Sequence, residues 1–303
     1  MREMLSELIA SNAERDARFL ALSGDHGYAL FDAIRTRRPY QFINVGIMEQ
    51  AMVGIAAGLA KTGFRPLVYG LAAFIPLRVL EQIKMDVCYP RLPIIFIGDG
   101  AGLVYSTLGS SHQCGEDIAA LKPMPDMRIY APCDEYELQA SFEEALAYAG
   151  PAYIRVGKSD RPAVNTAVRP DTAAYVTHHS RTQIDTCIVA MSSMSSLGQA
   201  LAIEHDVTSV SVFRLKPLAE QALELLAPFH QLIILEEHSR HGGLASTLAD
   251  AFIDAALPVP RMHVLCLQDH FARHCGSYQY ALSEHRLSDT TVRERISKIL
   301  QPT

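Results

Sequence analysis

The sequence has no apolar stretch long enough to cross a bilayer. Its 303 residues contain no run of about 18 apolar residues free of a charge or a turn signal, so no membrane span is predicted. It also has no basic excess, because 27 Lys and Arg stand against 33 Asp and Glu, a net charge of −6. Without a basic stripe, neither nucleic acid nor an anionic membrane surface is an expected partner.

Cysteine is scarce and scattered. The six cysteines form no CxxC pair and no metal-ligand spacing, so free thiols in a reducing compartment are expected. The N-terminal segment MREMLSELIASNAERDARF is charged throughout and lacks the apolar core of a signal peptide. We therefore expect a globular, cytoplasmic protein.

What the sequence does contain is an alternation of short apolar strands with helical patterns. The first half has strand candidates FLALSGD, QFINVG, RPLVYG, LPIIFIG, MRIYAP and AYIRVG. Its helical patterns cover residues 3–18, 49–61, 75–88, 116–121 and 134–149. This alternation predicts an α/β domain whose parallel sheet is covered by helices on both faces.

The alternation is interrupted once. After Gly157 the chain becomes polar, proline-containing and aperiodic, which is typical of a linker. A second alternating block follows, with strand candidates such as DTCIVAMSS and QLIILEEHS. We predict two doubly wound domains, residues 1–160 and a smaller one over residues 183–303, joined by a linker over residues 161–182.

A lone carboxylate lies at the start of an apolar helix. The segment FINVGIMEQAMVGIAAGLAKTG begins as a strand, turns, and carries Glu49 into a run of small residues. Ala51, Gly54 and Gly58 share one helical face, where small side chains let another helix approach closely. Glycine costs a helix roughly 1 kcal/mol relative to alanine, so this face indicates tight packing. Glutamate is common in the first turn of helices, so Glu49 alone does not establish a site.

The surroundings of Glu49 are more informative. The segment FINVGIMEQAMVGIAAGLAKTGFRPLVYGLAAFIPLRVLEQIKMDV resembles the pyrimidine-binding domain of the transketolase family. That family includes deoxyxylulose phosphate synthase and the β subunits of 2-oxo acid dehydrogenases. The resemblance implies that Glu49 binds N1′ of the aminopyrimidine of thiamine diphosphate. A proton shared there would favour the imino tautomer that activates the cofactor.

The resemblance also assigns the walls of a cofactor pocket. The segment GLAAFIPLRVLEQIK, residues 70–84, corresponds to the family stretch whose aromatic side chains stack on the aminopyrimidine. Phe74 matches one of these aromatics, with ordinary core packing as the alternative. Leu71 stands where many relatives have phenylalanine, and Ile47 lies two residues before Glu49; both are predicted cofactor contacts.

A second loop carries a candidate catalytic histidine. The segment GSSHQCGEDIAALKPMPDMRIYAPCDEYE, residues 109–137, resembles the family loop whose histidine faces the reacting carbon of the substrate. The resemblance assigns this role to His112, whose imidazole can hydrogen-bond a developing alkoxide; a loop histidine that caps a helix is the alternative. Leu108 and Tyr105 stand where transketolases carry an acid and a further histidine, which leaves room for an unusual substrate.

Four further residues are predicted to contact substrate. The segment FLALSGDHGYALFD aligns with a family strand and turn that line the substrate channel, which brings in Ser23, Asp25 and His26. The segment AYIRVGK matches a strand whose arginine can hold a phosphate, which brings in Arg155. A polar turn and a structural arginine are the respective alternatives.

One cofactor motif is incomplete. The residues Gly98-Asp99-Gly100 begin the thiamine-diphosphate motif, but none of the three asparagines in the chain lies near the Asn-Asn position that would complete it. We therefore interpret these residues as a strand-end turn. In the family, that motif helps hold the diphosphate and Mg²⁺ (or Ca²⁺) through oxygen ligands. The resemblance thus implies half of a cofactor site, with the other half on an N-terminal, diphosphate-binding subunit.

The resemblance extends over nearly the whole chain. The segments RLKPL, EEHSRHGGLAS and DHFARHCGSYQYALSEHRLS resemble the family's C-terminal domain. This implies the C-terminal subunit of a split transketolase-like enzyme, a dimer of heterodimers that transfers a two-carbon ketol unit from a ketose to an aldehyde among small sugar substrates. The alternatives are a 2-oxo acid decarboxylating β subunit, a specialised ketol- or acyl-transferring enzyme, and a non-catalytic paralogue.

Overall fold

Strands and helices alternate along the chain. The computed structural model describes residues 1–158, 160–169, 174–182 and 185–301. The strands are β1 Phe19–Ser23, β2 Phe42–Asn44, β3 Arg65–Leu71, β4 Ile95–Asp99, β5 Arg128–Tyr130, β6 Ala152–Val156, β7 Ala174–His178, β8 Thr186–Ala190, β9 Thr208–Val212, β10 Arg214–Lys216, β11 Gln231–Ser239 and β12 Arg261–Leu267. The helices are α1 Arg2–Arg15, α2 Asp32–Arg37, α3 Glu49–Lys61, α4 Leu80–Gln82, α5 Asp117–Leu121, α6 Glu135–Ala147, α7 Ser195–His205, α8 Glu220–Leu226, α9 Leu244–Asp254, α10 Tyr278–Glu284 and α11 Asp289–Leu300.

The strands form two sheets. The first has seven strands in the order β10-β5-β6-β4-β3-β1-β2, and the second has five in the order β12-β11-β8-β9-β7. All neighbouring strands are parallel except that β10 runs antiparallel to β5 and β7 runs antiparallel to β9. The predicted α/β class with two sheets is therefore confirmed.

Helices cover both faces of the first sheet because successive strand residues point to opposite sides. Val68 and Phe96 belong to one core cluster, which also includes Met52 of α3. Leu67 and Ile97 belong to another, together with buried residues of α1, α2 and α6. Both faces of these central strands are thus buried, as their nearly continuous apolar sequence predicts.

The predicted linker contains a strand, and that part of the prediction is wrong. Within residues 161–182 the structure places β7, which pairs with β9 at the edge of the second sheet. Tyr175 of this strand is buried and stacks on Phe213, with the ring centroids 5.3 Å apart. The strand is short and its neighbours are polar, so its apolar pattern was hidden. Residue 183, the predicted start of the second domain, lies outside the described residues.

The first sheet does not end where the predicted first domain ends. Its edge strand β10 comes from the second half of the chain and pairs with β5. Hydrogen bonds therefore cross between the two halves of the sequence as well as within them. The six cysteines are all free, and five of them are buried or half-buried.

Gly98 on β4 is a position at which the fold has no room for a side chain. A Cβ added there would lie 2.2 Å from the hydroxyl of Tyr153. Tyr153 is fully buried, and its hydroxyl donates to Asp117. We expect Gly98→Ala to lower the free energy of unfolding by about 1–3 kcal/mol, because the neighbouring ring must move. Urea-induced unfolding of the chain measures this.

Gly58→Ala on α3 is the matched control. A Cβ added at Gly58 meets no atom within 4 Å. Since alanine favours a helix interior by roughly 0.8–1.0 kcal/mol over glycine, this variant should be at least as stable as the parent chain. Equal stability of the two variants would contradict the packing described for Gly98.

Candidate functional site

Four predicted residues meet at the carboxyl ends of neighbouring strands. His26 follows β1, Glu49 follows β2, Phe74 follows β3, and His112 lies in the loop after β4. These strands are adjacent and parallel, in the order β4-β3-β1-β2, so the loops at their carboxyl ends come together.

Phe74 is the centre of this group. Its ring meets the edge of the His26 imidazole with centroids 5.8 Å apart, and that of His112 with centroids 5.3 Å apart. The guanidinium carbon of Arg78 lies 4.0 Å from the centre of the same ring. Two imidazoles and one cation therefore surround a single half-buried aromatic ring. We call these residues, with Glu49, the Phe74 cluster.

Glu49 is the buried acid of the Phe74 cluster. It is the first residue of α3, and only 5% of it is exposed. Nη1 of Arg78 donates to Oε1 of Glu49 at 3.0 Å, which supplies the carboxylate with a charged partner. The helix N-terminus favours the same negative charge. The structure thus places a carboxylate, a planar cation and an aromatic face in contact with one another.

Arg78 was missed from the sequence. Its signal was its place four residues after Phe74, a spacing at which side chains can meet along a helical segment. Residues 77–79 form a 3₁₀ turn rather than the predicted α-helix, and this turn lies directly after the Phe74 segment. The predicted helix over residues 75–88 continues through α4 into π-helical Ile83–Cys88.

The turn after β1 is held by its own polar groups. The hydroxyl of Ser23 is buried, donates to the carbonyl of His26 at 2.7 Å and accepts from its N–H. Nδ1 of His26 donates to the carbonyl of Gly24 at 2.8 Å, which leaves Nε2 as the acceptor. Asp25 is exposed and accepts from Asn44. Ser23 therefore shapes the turn that presents His26.

The two predicted aliphatic contacts flank the Phe74 cluster differently. Leu71 is half-buried at the end of β3, and its carbonyl accepts from the N–H of Phe74 at 2.8 Å. Ile47 lies between Gly46 and Met48 in the turn before Glu49 and is 71% exposed. Leu71 thus supports the Phe74 segment, whereas Ile47 is open to a molecule that covers this edge.

The structure does not bring Arg155 to the Phe74 cluster. It lies on β6, is fully buried, and donates through Nε to both oxygens of Asp117 at 3.0 and 3.1 Å. Its Nη2 donates to the carbonyl of Glu237 in β11 at 2.7 Å. Burial lowers the pKa of Arg155, but the Asp117 carboxylate opposes this and the pKa is raised overall. This geometry favours the structural alternative.

His238 belongs to the same buried junction. Its Nδ1 donates to the carbonyl of Ser239 at 2.8 Å, and its Nε2 lies 3.7 Å from Asp117. Burial lowers the pKa of His238 to about 4, so the imidazole is neutral near pH 7.

A cavity of 320 Å³ opens beyond the ends of β3, β4 and β6. Arg2 and Lys158 supply cations to its lining, and neither was predicted from the sequence. The hydroxyls of Tyr69 and Tyr105 donate to one oxygen of Asp99, at 2.8 and 3.1 Å, and form a polar wall. Burial and then the Asp99 carboxylate raise the pKa of both phenols, so they stay protonated donors.

The Gly98-Asp99-Gly100 segment is the end of β4 and the turn after it, as predicted. Gly100 has a φ of 71°, a conformation that favours glycine. Within the described ranges, no three His, Cys, Asp or Glu side chains are arranged to hold a metal ion. No described helix is long and apolar enough to cross a membrane.

Comparison with known proteins gives a consistent relationship. Residues 1–163 match the family model described as transketolase, pyrimidine binding domain. One of the two subunits of the apulose-4-phosphate transketolase of Phocaeicola vulgatus is 29% identical over 307 residues, which cover 96% of each chain. The 6-deoxy-6-sulfo-D-fructose transketolase subunit SqwH of a Clostridium species is 30% identical over 87% of this chain and 84% of that one.

Single-chain relatives are about twice as long. A 1-deoxy-D-xylulose-5-phosphate synthase of Lawsonia intracellularis is 31% identical over 99% of this chain but only 48% of its own length. The chain therefore spans about half of such relatives.

Solved structures agree with this relationship. A split-gene transketolase, described as an inactive β4 tetramer, superposes with a TM-score of 0.83 at 27% identity and covers 99% of this chain and 97% of that one. The matched domain and the near full-length likeness to separate transketolase subunits lead to one conclusion. The chain belongs to the transketolase family and is a β- or C-terminal-type subunit of a split transketolase-like enzyme.

Proposed function

We propose that this chain is one half of a thiamine diphosphate-dependent enzyme that transfers a two-carbon ketol unit from a ketose to an aldehyde. The arrangement of Glu49, Arg78 and Phe74 carries the proposal. Two relatives of similar length are named as transketolase subunits, which supports the same class of reaction.

The Phe74 cluster fits an aminopyrimidine. The guanidinium of Arg78 is a planar N–H donor that lies on Phe74 and hydrogen-bonds Glu49. An aminopyrimidine needs the same two partners, an aromatic wall and a carboxyl group. The structure therefore has a place where a flat, nitrogen-rich ring can be held by residues of this chain.

In this proposal each residue has a defined task. When thiamine diphosphate is bound, it supplies the thiazolium carbon at which carbon–carbon bonds are broken and made. Glu49 holds a proton against N1′ of the aminopyrimidine, and Phe74 keeps that ring in place. His112 and His26, at the edges of Phe74, hydrogen-bond substrate oxygens as their charge changes. Arg78 keeps the carboxyl group of Glu49 oriented.

A second polypeptide would hold the diphosphate and its Mg²⁺ ion. The proposal rests on the incomplete Gly98-Asp99-Gly100 motif, which has no Asn-Asn partner in this sequence. The Phe74 cluster contains one carboxylate and one arginine, a poor set of ligands for a hard cation that prefers several oxygens. The diphosphate-binding subunit would supply those oxygens.

The exposed face of α3 is the proposed docking surface for that subunit. Ala51, Gly54, Ile55 and Gly58 are all exposed on this helix, although Glu49 at its start is buried. A Cβ added at Gly54 or Gly58 meets no atom within 4 Å, so this face has room for a neighbouring helix. Further large apolar side chains are exposed on the same domain: Tyr28, Tyr40, Ile47, Met48, Met85 and Tyr89.

The 320 Å³ cavity indicates an anionic substrate. Arg2 and Lys158 line it, and its tyrosine hydroxyls are bound to Asp99. It opens at the same carboxyl edge of the sheet as the Phe74 cluster, so one ligand could reach both. We propose that a phosphate or sulfonate on the sugar binds there, the role that the sequence assigned to Arg155.

Glu49→Gln should abolish turnover, because an amide cannot exchange a proton with N1′. We expect a fall in kcat of at least about 10²–10⁴-fold in the complex with the diphosphate-binding subunit, and unchanged assembly. Ketose consumption and analytical ultracentrifugation measure the two properties. Glu81→Gln, at an exposed glutamate of α4, is the control and should be fully active. Substantial turnover by Glu49→Gln would contradict the proposed role; turnover of a 2-oxo acid in place of a ketose would support the decarboxylating alternative.

Ala51→Leu should weaken assembly without unfolding the chain. Ala51 is exposed on α3, so leucine is tolerated in the free chain but obstructs the close approach of a partner helix. We expect the Kd for the diphosphate-binding subunit to rise about tenfold or more, which corresponds to roughly 1.4 kcal/mol. Ala200→Leu, at an exposed alanine of α7, is the matched control. Equal Kd values for both variants would exclude this face of α3 from the interface.

Lys158→Gln should raise the KM for an anionic donor. We expect an increase of about tenfold, because a hydrogen bond to a charged group is worth about 1.5–3 kcal/mol. The kcat and the KM for an uncharged ketose should hardly change. Lys298→Gln, at a lysine of α11 far along the chain from the cavity lining, serves as the control. An equal loss for charged and uncharged donors would rule out anion recognition by Lys158.

A further inference from the structure

The loop that carries His112 is closed at its base. We call residues 100–116, between β4 and α5, the His112 loop. The N–H of Gly102 donates to the carbonyl of Cys114 at 2.6 Å, and the N–H of Cys114 donates back to Gly102 at 2.8 Å. The intervening residues therefore form a closed excursion, and the position of its base determines where His112 lies.

Strand β11 of the second sheet holds both sides of that base. Oε1 of Glu237 accepts from the N–H of Leu103 at 2.6 Å. Two residues further along β11, the N–H of Ser239 donates to the carbonyl of Gly115 at 2.6 Å. The entry and the exit of the His112 loop are thus each hydrogen-bonded to the second domain.

Glu237 is itself fixed in place. Its side chain is 1% exposed, and its Oε2 accepts from the hydroxyls of Ser193 and Tyr278 at 2.7 and 2.6 Å. A Cβ added at Gly102 would lie 2.4 Å from Oε1, so the carboxylate packs directly against the loop backbone. Gly102 also has a φ of 75°, which a residue with a side chain adopts at a cost.

We propose that Glu237 is a positioning residue for His112. It acts through the backbone of the His112 loop and not by touching the substrate, and the inference rests on the proposed function of His112. A carboxylate bound by three donors cannot rotate without breaking hydrogen bonds, so it fixes the loop entry more firmly than solvent could. In this way the second domain contributes to a site built on the first.

Glu236 provides a matched control. It is fully buried, adjacent in β11, and also accepts from backbone N–H groups. Its donors are Leu244 at 2.6 Å and Ala245 at 3.3 Å, at the start of α9, and not in the His112 loop. Loss of either carboxylate removes buried hydrogen bonds, but only loss of Glu237 frees the loop.

The test compares Glu237→Ala, Glu237→Gln and Glu236→Ala in the enzyme assembled with its diphosphate-binding subunit. For Glu237→Ala we expect kcat to fall about 10²-fold with little change in KM, since a misplacement of about 1 Å can have this effect. Glu237→Gln keeps an acceptor for Leu103 and should restore most of the activity. Hydrogen exchange of the His112 loop should be faster in Glu237→Ala than in Glu236→Ala.

The outcomes separate this inference from the proposed function. Equal kcat losses in Glu237→Ala and Glu236→Ala, or unchanged loop exchange in Glu237→Ala, would overturn the positioning role. An active Glu49→Gln enzyme would overturn the proposed function and leave the exchange result intact. If Glu237→Ala does not fold, Tyr278→Phe removes one donor to Oε2, and unchanged kcat and loop exchange in that variant would also contradict the inference.

Discussion

The buried ion pair between Arg155 and Asp117 connects the three parts of this structure. Arg155 extends from the first sheet, Asp117 begins α5 directly after the His112 loop, and the same guanidinium donates to a carbonyl of β11 in the second sheet. Both side chains are fully excluded from solvent. Removal of one partner from such a pair leaves a buried charge at a cost of about 3–5 kcal/mol. The two sheets and the end of the loop therefore cannot shift independently.

The site follows from that constraint. Parallel strands deliver His26, Glu49 and Phe74 to one edge of the first sheet, since their loops leave from the same end. His112 reaches this edge on a longer loop, whose base is hydrogen-bonded to β11. Short loops are positioned by the sheet alone, whereas the long loop needs a second surface to fix it. That difference gives the second domain a part in the chemistry.

The same structure explains why half of a cofactor site can be stable by itself. Arg78 partners the carboxylate of Glu49 and covers one face of Phe74, so neither group is left unpaired in the separate chain. Helix α3 buries the acid at its first residue and exposes small residues on later turns. A surface of small side chains is tolerated in water, yet it fits closely against another helix.

The sequence by itself determined the α/β alternation, the limits of α3, and, through a family resemblance, the meeting of Glu49, Phe74 and His112. Apolar periodicity identifies which residues are buried, and burial is enough to define a strand or a helix. It does not identify what they are buried against. Arg155 lies 38 residues from Asp117 and 82 from Glu237 along the chain. Only tertiary packing brought these groups together and made that arginine structural, because a charged side chain takes its role from its partners in space.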